Sequence, residues 1–146
     1  MPGLEDLYRE IILDHYRSPR NRGQLEPPAV SAEGHNPLCG DEITVWLDVR
    51  EGRVAEVRFS GSGCSISQSS ASMMTSAIKG RPLDEVRAIV ARFKQMMTVE
   101  EGADGAPEVP LGDLEALKGV VKFPVRIKCA VLAWNTLAEG LDNATA

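Results

Sequence analysis

The chain has 146 residues, enough for one domain with a substantial buried core. Its 16 Lys and Arg against 21 Asp and Glu give a net charge of −5 with no long basic run, which argues against a nucleic-acid partner. No apolar run approaches the roughly 18 residues of a membrane span, and Met1-Pro2-Gly3-Leu4-Glu5-Asp6 lacks the basic and apolar parts of a signal peptide, so the expected address is cytoplasmic and reducing, where three cysteines are free thiols or ligands.

Leu4, Leu7, Tyr8, Ile11, Ile12 and His15 follow the spacing of an amphipathic helix, which Ser18-Pro19 should end. A loop from Arg20 through Pro28 follows, with a strand expected around residues 29–32. From Asp41 the period becomes two: Ile43, Val45, Leu47 and Val49 alternate with Thr44, Trp46 and Asp48. Beyond a turn at Arg50-Glu51-Gly52-Arg53, a second strand from Val54 to Ser60 should place Ala55, Val57 and Phe59 on one face. Helical spacing returns at Ile66, Ser70, Met73, Met74, Ala77 and Ile78, with Gly80 as a stop. Ser65, Ser67, Ser69, Ser70 and Ser72 read as this helix's polar face, and no His/Asp partner marks a serine nucleophile.

Pro82 suits the first turn of another helix carrying Leu83, Val86, Ile89, Val90, Phe93 and Met97. Residues 98–112, rich in Gly, Pro and acidic side chains, read as a surface loop inside a single domain of residues 1–146. Asp113 can cap a short helix with Leu114 and Leu117; a last helix should run from Pro124 to about Gly140. Helix, sheet, then helices predict an α+β fold: a small antiparallel sheet of about three strands with helices packed on one face.

The chemistry lies in the cysteines. Cys39 sits in Asn36-Pro37-Leu38-Cys39-Gly40-Asp41, where Gly40 permits a sharp turn that can aim the thiolate and the Asp41 carboxylate at one centre. Cys64 opens a helix whose N-terminal N–H groups favour negative charge, and Gly61 and Gly63 beside it allow close backbone approach. Cys129 falls in the first turns of the last helix. Three thiolates and Asp41 make a complete tetrahedral metal site. The competing reading of a free cysteine as a small core residue fits Cys129, between Ile127 and Val131, better than the other two. His35 is the rival of Asp41 as fourth ligand; His15 reads as a packing or capping residue, and Met73-Met74 and Met96-Met97 as core filler.

Four motifs occur in order: Tyr8, Ile11, His15-Tyr16, Pro19-Arg20-Asn21 and Gly23; then Asn36-Pro37, Cys39-Gly40-Asp41; then Gly61, Gly63-Cys64, Ile66-Ser67 and Ser69; then Lys128-Cys129-Ala130, Leu132-Ala133-Trp134. Together they resemble the IscU/SufU/NifU-N family of iron–sulfur cluster assembly proteins, over nearly the whole chain. The resemblance implies a compact α+β domain with Cys39, Asp41, Cys64 and Cys129 gathered at one exposed end. Lys128 stands where IscU proteins carry a histidine, and Phe123-Pro124-Val125-Arg126-Ile127 replaces their Leu-Pro-Pro-Val-Lys chaperone motif. The stretch from Cys64 to Cys129 is also longer than in IscU, so the resemblance is to the SufU branch.

That branch implies a zinc-dependent sulfur acceptor that takes persulfide sulfur from a SufS-type cysteine desulfurase and serves downstream cluster scaffolds or apo-acceptor proteins. It also implies that the desulfurase offers a histidine to replace a cysteine on zinc. Three thiolates and a carboxylate on Zn²⁺ leave excess negative charge, so one sulfur can act as nucleophile; Cys39, on the most irregular segment, is the expected one. Arg126 is the candidate to offset that charge, against the reading of a solvated surface arginine. The wider family implies an alternative, a scaffold on which a [2Fe–2S] cluster forms on the same residues; a structural zinc module without transfer chemistry is a third reading.

Overall fold

The period-two stretch forms the centre of a sheet because one set of its side chains is apolar and the other is not. In the computed structural model, which describes residues 4–27, 29–37, 40–97 and 112–145, strands β1 (Val30–Asn36), β2 (Asp41–Arg50) and β3 (Arg53–Ser62) form an antiparallel sheet in the order β1-β2-β3. The first strand is longer than the expected 29–32, and Asn36 pairs with Asp41 where β1 hands over to β2. Ala32, Ile43, Val45, Leu47, Val57 and Phe59 are buried on one face, while Ser31, Glu33, His35 and Glu42 are exposed.

One expected position is corrected. Ala55 is exposed, and Val54 takes the buried place beside Val57 and Phe59. The cause is a bulge: Val49 pairs with Val54 and Asp48 with Glu56, so Ala55 is an extra residue and the alternation slips by one.

Helices cover the buried face. Helix α4 (Pro124–Thr145) lies across β1 and β2, α2 (Ser65–Ile78) packs on β3 and on α4, and α1 (Leu4–Arg17) packs on α2. Helix α3 (Leu83–Met97) buries the predicted stripe Val86, Ile89, Val90, Phe93 and Met97. Its Phe93 ring stacks on Trp134 of α4 at 4.2 Å between centroids. A 3₁₀ segment, Gly112–Lys122, carries buried Leu114 and Leu117 against α1 and α4. The 98–111 part of the expected loop and the side chains of Leu4, Leu7, Tyr8 and Asp113 lie outside the described residues. No helix among the described residues is long and apolar enough to cross a membrane.

Two further expectations change. Helix α4 does not stop at Gly140 but continues to Thr145. A Cβ at Gly140 would come within 2.9 Å of Leu47 Cδ1, so this glycine serves close approach of the helix to the sheet. The serines of α2 are not a solvated face either: Ser67, Ser69, Ser70 and Ser72 are all buried, because each has a partner inside the protein. Ser69 Oγ donates to the Ile12 carbonyl at 2.8 Å, and Ser70 Oγ donates to the Ala130 carbonyl at 2.6 Å while accepting from Trp134 Nε1 at 3.0 Å. Ser72 Oγ lies 2.8 Å from His15 Nδ1 and accepts the Arg20 N–H at 2.9 Å. Small hydroxyls thus let α1 and α4 press against α2 with their backbone polar groups paired. His15 is a buried packing residue, and Met73, Met74 and Met97 fill the core as expected.

Candidate metal centre

Three segments distant in sequence converge at one end of the sheet. Asp41 begins β2, Cys64 is the N-cap of α2, and Cys129 stands in the second turn of α4. One ligand atom from each lies within 4.8 Å of the other two. Asp41 and Cys129 are buried and Cys64 is half-buried, so the group opens to solvent on the Cys64 side.

Asp41 is fixed by the helix it faces. Its Oδ1 accepts the Cys64 backbone N–H at 2.8 Å, meeting one of the N–H groups that the first turn of α2 leaves unpaired. Its Oδ2 is 3.8 Å from Cys64 Sγ. Two donors on one tetrahedral zinc, at the usual Zn–S and Zn–O lengths, are about 3.6 Å apart. The carboxylate and the thiol therefore already stand close to that spacing. Cys129 Sγ lies 3.7 Å from the Val125 carbonyl, the backbone contact of a thiol one helical turn on.

Gly63 makes this arrangement possible. Its φ is +155°, and a Cβ built on it would meet Asp41 Oδ1 at 2.2 Å and Ser67 Oγ at 2.8 Å. Any side chain would displace the carboxylate from the helix end. Gly61 serves a different contact from the expected approach to a sulfur or metal: a Cβ there would meet the Glu42 carbonyl oxygen of the neighbouring strand at 2.0 Å. Two soft sulfur donors, one hard oxygen donor and a cradle that only glycine leaves open fit a zinc-type ion.

Of the expected site residues, Asp41, Cys64 and Cys129 are brought together. Cys39 lies outside the described residues, on the connection between β1 and β2. His35 is not among the gathered donors: it pairs with Glu42 in the strand register and is exposed on the opposite side of β1 from buried Asn36. Arg126 is exposed on the first turn of α4, three residues before Cys129. Ser67 was missed as part of the site: its Oγ donates to the Cys64 carbonyl at 3.1 Å and borders Asp41 across Gly63. A serine three residues after a helix-opening cysteine was the available signal.

Comparisons with known proteins agree with this geometry. Residues 7–130 match the family described as the NifU-like N terminal domain. The chain is 46% identical over 138 residues to the zinc-dependent sulfurtransferase SufU of Bacillus subtilis, covering 94% of this chain and 91% of the relative. It is 38% identical over 141 residues to the iron-sulfur cluster assembly scaffold protein IscU of Streptococcus pyogenes serotype M1, covering 97% of this chain and 86% of that protein. The crystal structure of the N-terminal part of a nitrogen-fixing NifU-like protein from Brucella abortus superposes with a TM-score of 0.81 at 28% identity, covering 94% of each chain. An α+β sheet-and-helix frame, the cysteine motifs it carries and the match over most of their length together place this chain in the NifU-like N-terminal domain family.

Proposed function

We propose that the chain is a zinc-dependent sulfur acceptor of iron–sulfur cluster assembly, working in the cytoplasm with a cysteine desulfurase as sulfur donor. The observation that carries this reading is the meeting of Asp41, Cys64 and Cys129 donor atoms within 4.8 Å, with Cys39 two residues from Asp41 in sequence. The relative named a zinc-dependent sulfurtransferase supports it.

In this reading Cys39, Asp41, Cys64 and Cys129 hold the metal. Zinc, when bound, would keep the thiols deprotonated and shielded from oxidation. The Cys39 thiolate attacks the terminal sulfur of the donor's cysteine persulfide. A sulfur–sulfur bond forms on Cys39 as the donor's own sulfur–sulfur bond breaks; the donor leaves as a thiolate, and no outside oxidant or reductant is consumed. The α2 N-terminus lies against Asp41, and Arg126 supplies positive charge one helical turn from Cys129; both offset the negative charge of the ligands. Asp41, held by the Cys64 N–H, keeps its free oxygen toward the sulfurs while Cys39 reacts.

The test is to incubate the zinc-loaded protein with desulfurase and cysteine and to map the added sulfur by mass spectrometry. The label is expected on Cys39, and Cys39→Ser, shown to be folded, should accept none while the desulfurase keeps its basal turnover. Label on Cys64 or Cys129 would reassign the nucleophile; no label on the wild-type protein would sink the transfer reading. The relative named an IscU scaffold favours a second reading, in which a [2Fe–2S] cluster is the cargo of the same residues. A dominant iron–sulfur chromophore in anaerobically purified protein would select it.

A further inference from the structure

A groove of about 800 Å³ runs beside the cysteine centre, between α1, the 3₁₀ segment and the starts of α2 and α4. Ile12, Leu13, Ile66, Val120 and Phe123 make its walls apolar. Arg9 and Arg126 line it from α1 and α4. Both arginines are exposed, and neither has an ion pair or side-chain hydrogen bond among the described residues, whereas Arg20, Arg50, Arg81 and Arg87 are each paired with a carboxylate. The apolar surface continues outward from the groove: Phe123 is 60% and Val125 58% exposed. On a chain of net charge −5, two arginines without an ion pair among the described residues flank this apolar trough.

From this arrangement we propose that the groove is a docking site for an acidic segment of a partner polypeptide, one that inserts an apolar side chain between carboxylates. The apolar anchor removes the half-buried Ile12, Leu13 and Ile66 and the exposed Phe123 from water. The flanking carboxylates meet Arg9 and Arg126, whose guanidinium forks suit bidentate pairing. A polypeptide fits better than a small metabolite because the trough is open and its apolar lining extends along the surface to Phe123. Ser65 and Ile66 follow Cys64, and Arg126 precedes Cys129 by three residues, so a segment seated here brings its parent protein alongside the cysteines. The proposal does not depend on the sulfur-transfer reading, since docking is measured with no sulfur donor present.

The test is an NMR titration of the full, zinc-loaded, ¹⁵N-labelled chain with a short capped peptide in which a Leu-Phe pair is bracketed by glutamates. Saturable shifts are expected at Leu13, Gly119 and Val120, weakening as salt is raised. A twin peptide with Gln in place of each Glu should bind about tenfold more weakly. Arg9→Glu, an exposed substitution compatible with folding, should weaken the acidic peptide by a similar factor, and a peptide with Lys in place of Glu should regain binding to that variant. Absence of saturable shifts at these residues, or equal binding of the Glu and Gln peptides, would overturn the proposal. So would the same shifts produced by raising the protein's own concentration without peptide, which would assign the groove to a second copy of the chain.

Discussion

Asp41 has two roles that substitution can separate. One oxygen accepts the N–H that opens α2, and the other faces Cys64 Sγ. Asp41→Ala removes both, taking the partner from a part-buried N–H at the helix end, at a cost of about 1 kcal/mol to the metal-free fold. Asp41→Asn keeps an oxygen for the helix end, so chemical denaturation of the metal-free protein should show it much closer to wild type. Both variants lose the charged ligand oxygen, and competition with a chromophoric chelator should show weaker zinc binding in each. Sulfur transfer should fall in each as well. Equal stability losses in the two would mean that the capping hydrogen bond contributes nothing; wild-type transfer in both would remove the aspartate from the chemistry.

At the scale of elements, α2 is the part whose role departs most from its sequence pattern. Ser70 bridges the Ala130 carbonyl and the Trp134 indole N–H. Ser70→Ala leaves the buried Trp134 indole N–H unpaired and removes the second hydrogen bond to the Ala130 carbonyl, which keeps its helical partner within α4, and should destabilise the chain by about 1–2 kcal/mol. Urea titration should show a lower midpoint with an unchanged slope; a change below a few tenths of a kcal/mol would mean that water replaces the hydroxyl. Most elements were legible because apolar residues recur with the period of the structure they form: β2 alternates, and α3 shows its stripe. Asp41 and Cys64 were legible because a carboxylate and a thiol stood among glycines and prolines at element ends, whereas Cys129, among apolar residues of a helix, was the least legible of the three. The serines misled because their exposure depends on which helices arrive beside them, and local spacing carries no such information. Ala55 misled because strict alternation assumes an unbroken ladder, and the bulge inserts one residue. Gly140 read as a stop, since a glycine needed for close packing looks the same in sequence as one that ends a helix.

For the whole molecule, most of the core stands apart from the candidate metal centre, and the fully buried Cys129 is where the two meet. Phe59, Phe93, Trp134, Leu47 and Met74 are fully buried among the helices and the sheet, while the candidate donors Asp41, Cys64 and Cys129 sit at the end where β2, α2 and α4 begin. Chelation should therefore leave the far-ultraviolet circular dichroism spectrum unchanged and lower only the melting temperature. Each tenfold excess of free zinc over its dissociation constant adds about 1.4 kcal/mol, which corresponds to roughly 3–5 °C for a chain of this size. Unfolding on chelation would show the metal to be structural.

The spacing of the ligands along the chain also has a consequence for biosynthesis. Asp41 and Cys64 are made early, but Cys129 comes only with α4, after the whole length of α3 and the 3₁₀ segment. A nascent chain thus carries an incomplete donor set, which grips an ion far less well than the finished centre. If these three donors hold the ion, loading waits on the docking of α4, and an ion held tightly reports that the chain has closed around it.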